Sequence, residues 1–398
     1  VTTAEQTIAN DQQYILQTYS RPNFVIARGE GCYLYDTEGR QYLDLVAGIA
    51  VNALGYGDPD VTAAIQQHAS GLLHLSNLYH NPYAASLAKL LVESCCSIDK
   101  AFLCNSGTEA IEGAIKFSRR YALDTHGPGK HTIVAFTGSF HGRTIGAVSI
   151  TGREKYRQPF EPVMPGVRFV EYNDTEATLA AIQQDVCAVV IEPVQGEGGL
   201  SAASEAFLQA IRARCDEVDA LLVYDEIQCG MGRTGSLWAH PCSARPDLMT
   251  VAKPLGGGLP IGAILMRQKV ADAIHPGDHG STFAGGPFVT AIAQTVFRKI
   301  ADPAFLERVR EVSDYLDESL SDLMASNSKV LELRGRGLMR GVRVDGSASA
   351  VREAGHANGL LVATAGDDVV RMVPPLVLQR QHVDEAIEKL GSALKVLG

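Results

Sequence analysis

Six short, almost uninterrupted apolar runs between residues 100 and 266 constrain this chain more than any other feature. They are KAFLCN (100–105), HTIVAF (131–136), CAVVIEPV (187–194), ALLVYDEI (220–227), LMTVAK (248–253) and PIGAILM (260–266). Most lack the period-two alternation of a strand with one wet face, so they predict strands buried on both sides. Helix-like segments such as EAIEGAIKFSRRYALD (109–124) and SEAFLQAIRARCDEV (204–218) separate them. That alternation predicts an α/β domain with a mainly parallel sheet flanked by helices.

The ends read differently. Residues 24–45, FVIARGEGCYLYDTEGRQYLDL, alternate around the turn signals GEG and TEGR and predict antiparallel hairpins. After residue 288, FVTAIAQTVFRKIAD and ERVREVSDYLDESLSDLMAS have the spacing of amphipathic helices and precede strand-like LRGRGLMRGVRV and VVRMVPPLV. A length of 398 residues exceeds the usual size of one core. The expected organisation is a large domain over 58–288 and a smaller α+β domain built from 1–57 and 289–398.

Composition excludes several classes. The net charge of −10 comes without any run of Lys and Arg, so a nucleic-acid partner is not expected. No stretch reaches the roughly 18 apolar residues of a membrane span. The polar opening VTTAEQTIANDQQYI lacks a signal-peptide core. The expected location is the cytoplasm, or an organelle matrix if a transit peptide has been removed. The eight cysteines form no Cys-x-x-Cys and no metal-type spacing with histidine, so they are read as thiols and no metal site is expected.

The chemistry concentrates where apolar runs stop. ALLVYDEI delivers Asp225, and the next run delivers Lys253, followed by Pro254 and by Gly256, Gly257 and Gly258. In α/β sheets ligands collect at the carboxyl ends of strands, so both side chains are expected in one crevice. A lysine in a low-dielectric place loses its proton easily and becomes a nucleophile for carbonyls. Singly, each residue has a plain reading as a solvent-reaching lysine and a turn-capping aspartate. A Walker B strand is a second reading, but its loop partner is missing, since GPGKH (127–131) lacks the first glycine and the hydroxyl. Pyridoxal phosphate is the third, requiring a lysine, an acid for its ring nitrogen and a phosphate site. NSGTEA (105–110), at the start of a helix pattern, supplies small residues, a hydroxyl and free backbone N–H groups.

With NSGTEA, SFHGRT (139–144), EPVQGEGG (192–199), DEIQCGMGRTG (225–235), AKPLGGGLPIGA (252–263) and GSTFAGGP (280–287) together, the chain resembles the class III, or ω-amino, branch of fold-type-I pyridoxal-phosphate aminotransferases over nearly its whole length. The resemblance implies that Lys253 bonds the cofactor's aldehyde, Asp225 holds the ring nitrogen and Gln228 meets the ring's phenolic oxygen. Phe140 would stack on the ring, and Glu192 would border it. Ser106, Gly107 and Thr108 would hold the phosphate, joined by Thr282 of the partner subunit in a homodimer with shared sites. Ser281 would lie beside the substrate. Arg143 would take the carboxylate of an ω-amino donor, and Arg371 that of glutamate or 2-oxoglutarate. Glu197 would neutralise Arg371 during the other half-reaction.

The implied reaction moves the δ-amino group of N2-acetyl-L-ornithine to 2-oxoglutarate, SNLYH (76–80) and GLPIGA being the segments that point to this donor. Ornithine, N2-succinylornithine, 4-aminobutyrate and lysine-pathway amines are the alternative donors. A cofactor-binding module without turnover and an aminomutase are the readings from other classes. Tyr56, Asp58, Ile111 and Gly286 depart from the residues common in the family.

Overall fold

The computed structural model describes residues 2–398. Near the N-terminus, β1 (Ile26–Glu30), β2 (Tyr33–Asp36) and β3 (Gln41–Asp44) form the antiparallel meander that GEG and TEGR predict. Its turns need glycine: Gly31 and Gly39 have φ of +57° and +85°, where a side chain is strained.

Seven strands build the central sheet: β4 (Lys100–Cys104), β5 (Thr132–Phe136), β6 (Val167–Val170), β7 (Val186–Ile191), β8 (Leu221–Asp225), β9 (Leu248–Val251) and β10 (Gly262–Met266). Their order is β4-β10-β9-β8-β7-β5-β6. The pairs β5–β6, β5–β7, β7–β8 and β8–β9 are parallel, while β10 is antiparallel to both β4 and β9. The sheet is therefore mainly parallel, with one strand reversed. Every residue of β5, β7, β8, β9 and β10 is buried. Successive side chains point to opposite faces, so Val134 and Phe136 join one core cluster while Ile133 and Ala135 join another. Helices such as Gly107–His126 and Glu205–Val218 supply apolar faces to these clusters.

Strand β6 was not expected from the sequence. It is a four-residue edge strand in which each position is only half-buried, so VRFV carries no long apolar signature.

Downstream, β11 (Val330–Arg336), β12 (Met339–Val344), β13 (Leu360–Leu361), β14 (Ala363–Thr364) and β15 (Val369–Met372) follow the long helix Pro303–Ser326. Four of them form the sheet β11-β12-β15-β14, and β13 instead pairs in parallel with β3. The two ends of the chain thus share a sheet. Among the described residues no helix is long and apolar enough to cross a membrane.

Candidate active site

One edge of the central sheet gathers the chemistry. After β4 comes Ser106, the N-cap of Gly107–His126, whose side chain accepts a hydrogen bond from Glu109 N at 3.2 Å. Phe140 and Arg143 follow β5, Glu192 follows β7, and Asp225 ends β8 with Gln228 three residues on. Lys253 stands two residues beyond β9. All five strands point their carboxyl ends the same way, which is where an open parallel sheet holds ligands. The line of residues encloses a cavity of about 470 Å³ lined by Ser106, Gly107, Thr108, Phe140, Arg143, Glu192, Asp225, Gln228 and Lys253.

Asp225 is held from both sides. Its Oδ1 accepts from Ile227 N at 3.0 Å and from Thr250 Oγ1 at 3.3 Å, and its Oδ2 accepts from His141 Nδ1 at 2.7 Å. Burial by itself would lower the His141 pKa, but the hydrogen bond and charge of Asp225 outweigh it and raise it. Sequence reasoning missed His141. Its only signal was its place beside Phe140 in SFHGRT, and nothing local says that this ring reaches across to β8. Glu192 is also buried: Oε1 accepts from Phe140 N at 2.9 Å and Oε2 from Gly196 N at 3.1 Å. Burial pushes its carboxyl up to about 7, with His141 opposing the shift and Asp225 adding to it. Glu226 takes no part, since its carboxylate is turned to His240 Nδ1 at 2.5 Å and to Ala239 N at 2.6 Å.

Lys253 has a φ of +29°, rare for a residue with a side chain, at the start of the short helical turn Lys253–Gly256. Backbone strain of this kind concentrates at functional sites. Burial, then the charge of Arg371, lower its pKa to about 8, against the opposing pull of Glu197, Asp225 and Glu192. At a pKa of about 8, about a tenth of the amine is free at pH 7.

The two arginines differ in state. Arg371, buried on β15, forms an ion pair with Glu197 and donates from Nη1 to Gly196 O at 3.3 Å and Gln228 Oε1 at 3.5 Å. Arg143 stands at the cavity, and among the described residues it makes no ion pair or hydrogen bond. Ser281 joins the rim through its Oγ, which accepts from Asn105 Nδ2 at 2.9 Å. Thr282 is exposed and is not among the residues lining the cavity.

Two departures from the family pattern have structural partners. Tyr56 donates to the buried Asp44 Oδ2 at 2.6 Å, and Asp58 caps the helix Pro59–Ala69 while pairing with Lys299 at 2.7 Å.

The family model described as aminotransferase class-III matches residues 14–394. The chain belongs to the class-III aminotransferases. An acetylornithine aminotransferase named mitochondrial, from Alnus glutinosa, is 50% identical over 389 residues, covering 96% of this chain and 86% of that protein. The acetylornithine aminotransferase of Xanthomonas campestris pv. campestris is 45% identical over 388 residues, 96% and 95% of the two chains. Among solved structures, the N-acetylornithine aminotransferase of Stenotrophomonas maltophilia K279a has a TM-score of 0.85 at 38% identity, covering 98% and 99%. The ornithine aminotransferase of Toxoplasma gondii ME49 has a TM-score of 0.94 at 30% identity, covering 100% and 96%.

Class-III aminotransferases depend on pyridoxal phosphate, and this one is a transaminase of that kind, acting on an amino donor and a keto acid. The site fits the cofactor. It offers an amine of lowered pKa, a fixed carboxylate, and space kept by glycines. A Cβ on Gly107 would come within 2.9 Å of the Ile227 side chain, and one on Gly196 within 2.3 Å of Gln228 Oε1. Added methyl groups there would displace Ile227 and Gln228, both of which line the cavity.

Proposed function

We propose that this aminotransferase takes the δ-amino group of N2-acetyl-L-ornithine and passes it to 2-oxoglutarate, giving N-acetylglutamate 5-semialdehyde and glutamate, a step of arginine biosynthesis. The observation that carries this reading is the unequal state of two guanidiniums around Lys253. Arg371 is masked by Glu197 and Arg143 is free. With Arg371 neutralised, a donor enters amine first, with its carboxylate on Arg143, whose planar fork grips a carboxylate at two points. When 2-oxoglutarate enters, Glu197 swings off and Arg371 receives the carboxylate next to the reacting carbon. The names of the Alnus and Xanthomonas relatives support the choice of donor.

In this scheme Lys253 would bond the cofactor's aldehyde, Asp225 would hold the proton on its ring nitrogen, and Gln228 would meet its phenolic oxygen. Phe140 covers one ring face, Glu192 borders the ring, and Ser106, Gly107 and Thr108 offer hydroxyls and helix N-terminal N–H groups to the phosphate. The bound cofactor supplies an electron sink for the carbanion formed at the amine-bearing carbon. Lys253, released as a free amine, would take the proton from that carbon and deliver it across the nitrogen to the cofactor's former aldehyde carbon, a general-base role typically worth about 10²–10⁴-fold. His141 keeps the Asp225 carboxylate aimed by its bond to Oδ2.

The active unit is assigned as a homodimer in which Thr282 completes the phosphate site of the other subunit. Its exposure outside its own cavity supports this, as do the exposed apolar side chains Phe283, Leu72, Leu73 and Leu78. The pairing of β13 with β3 supports a small domain made of 1–57 and 289–398 around 58–288. The cytoplasm or an organelle matrix is its proposed location.

The test is to titrate the purified holoenzyme, without keto acid, with N-acetylornithine, ornithine and 4-aminobutyrate while following its visible absorbance. The reading requires the spectrum to respond at the lowest concentration of N-acetylornithine. A stronger response to ornithine or 4-aminobutyrate reassigns the donor.

A further inference from the structure

The structure gives Arg143 one firm neighbour, and it is aromatic. The guanidinium carbon lies 3.8 Å from the centroid of the Tyr156 ring and 5.5 Å from that of Phe140. Tyr156 in turn meets Phe140 edge-on, with centroids 5.9 Å apart and planes at 82°. It belongs to the short helix Glu154–Arg157, which lies outside every motif that carries the family resemblance. That helix is fastened: Arg157 Nη1 donates to Thr151 O at 2.8 Å, and its guanidinium sits 4.4 Å from the Phe169 centroid. Lys155 Nζ adds a second cation 5.3 Å from the Tyr156 ring, as expected at an electron-rich face.

A guanidinium resting on a ring face keeps its N–H edge free, because its donors lie in its own plane while the ring occupies the direction perpendicular to it. A carboxylate accepts in that plane, so ring and anion do not compete for the same side of the cation. A long, mobile arginine would otherwise lose much rotamer freedom on binding, and a fixed stack removes part of that cost beforehand.

We propose that Tyr156 is a positioning residue for the donor's carboxylate, holding Arg143 in the orientation that receives it and thereby setting the preference for donors that carry that carboxylate. This rests on the reading of Arg143 as the donor's carboxylate receptor. Tyr156 acts through Arg143 and leaves the Arg371 side alone. Its removal therefore weakens ligands whose far carboxylate reaches Arg143, the donor among them.

The experiment uses the full-length holoenzyme and N2-acetyl-L-norvaline, which keeps the donor's carboxylate and acyl group but has no amine to transfer. Its dissociation constant is measured by calorimetry for wild type, Tyr156→Phe, Tyr156→Leu and Arg143→Ala. Tyr156→Leu is expected to weaken the analogue about five- to tenfold and Tyr156→Phe to retain affinity. Should the leucine variant fold poorly, phenylalanines bearing successively more ring fluorines at position 156 keep the shape. They are expected to weaken the analogue step by step as the ring face loses electron density. Unchanged affinity in the leucine or fluorinated proteins overturns the role of Tyr156 while Arg143→Ala still abolishes binding. Full affinity in Arg143→Ala overturns the receptor reading itself, and the role of Tyr156 with it.

Discussion

Lys253 joins strain, burial and like charge at one residue, and its protonation makes these measurable. In the cofactor-free protein, burial and next the charge of Arg371 bring its pKa from 10.5 to about 8. Between those two values the unfolded chain holds a proton that the folded chain has released, so stability rises with pH across the window. Below it, the full penalty of the charged amine applies, on the order of 2 kcal/mol once water reaching the cavity is allowed for. Lys253→Met is therefore expected to stabilise the cofactor-free protein in urea melts, most below about pH 8 and progressively less towards pH 10.5. An advantage for Met that stays constant over this range would mean that Lys253 does not titrate as described. The lysine and its aspartate were legible because each ends an apolar run. His141 was not, for its partner lies 84 positions away and only the strand order brings β5 and β8 to the two sides of β7. Glu192 was legible as a neighbour of the cofactor through EPVQGEGG, but its near-neutral carboxyl follows from burial that no local pattern announces.

At the scale of elements, the connection after β7 and strand β15 act as a pair. The loop carries Glu197, the strand carries Arg371, and Gly196 between them contributes its carbonyl to the arginine. Because Arg371 is buried, removing Glu197 leaves a cation with its strongest partner gone and open to any carboxylate that reaches the cavity. Glu197→Ala should raise the rate of the half-reaction with glutamate relative to that with the ω-amine by about ten- to hundredfold, the worth of one charge-assisted hydrogen bond. Single half-reactions followed by visible absorbance would show this, and an unchanged ratio would remove Glu197 from the switch. Elements with unbroken burial, such as β7 and β8, were legible in the sequence. The direction of β10 was not, because PIGAILM is equally apolar whichever way it runs, and its pairing with both β4 and β9 is decided by the path of the chain.

For the whole molecule, parts distant in sequence must be kept in register. Arg233, fully buried, donates from Nη1 to Leu338 O at 3.0 Å and Pro374 O at 2.5 Å. It thereby joins the segment after Asp225 to the chain just beyond Arg371. Within one chain, however, Thr282 stays outside the cavity that holds Lys253. If each site takes Lys253 from one subunit and Thr282 from the other, the two residues complement in a predictable way. A dimer of Lys253→Ala chains has no working amine, and a dimer of Thr282→Ala chains has two weakened phosphate sites. A mixed dimer has one site with both defects and one with neither, because the intact Lys253 meets the intact Thr282 of the partner subunit. Unfolding the two variants together at equal amounts and refolding them should place half the chains in mixed dimers and restore about a quarter of wild-type sites. Each variant refolded alone sets the baseline. Activity no greater than the average of those baselines would show that Lys253 and Thr282 do not meet across an interface, and a site confined to one chain would then need another group to hold the phosphate.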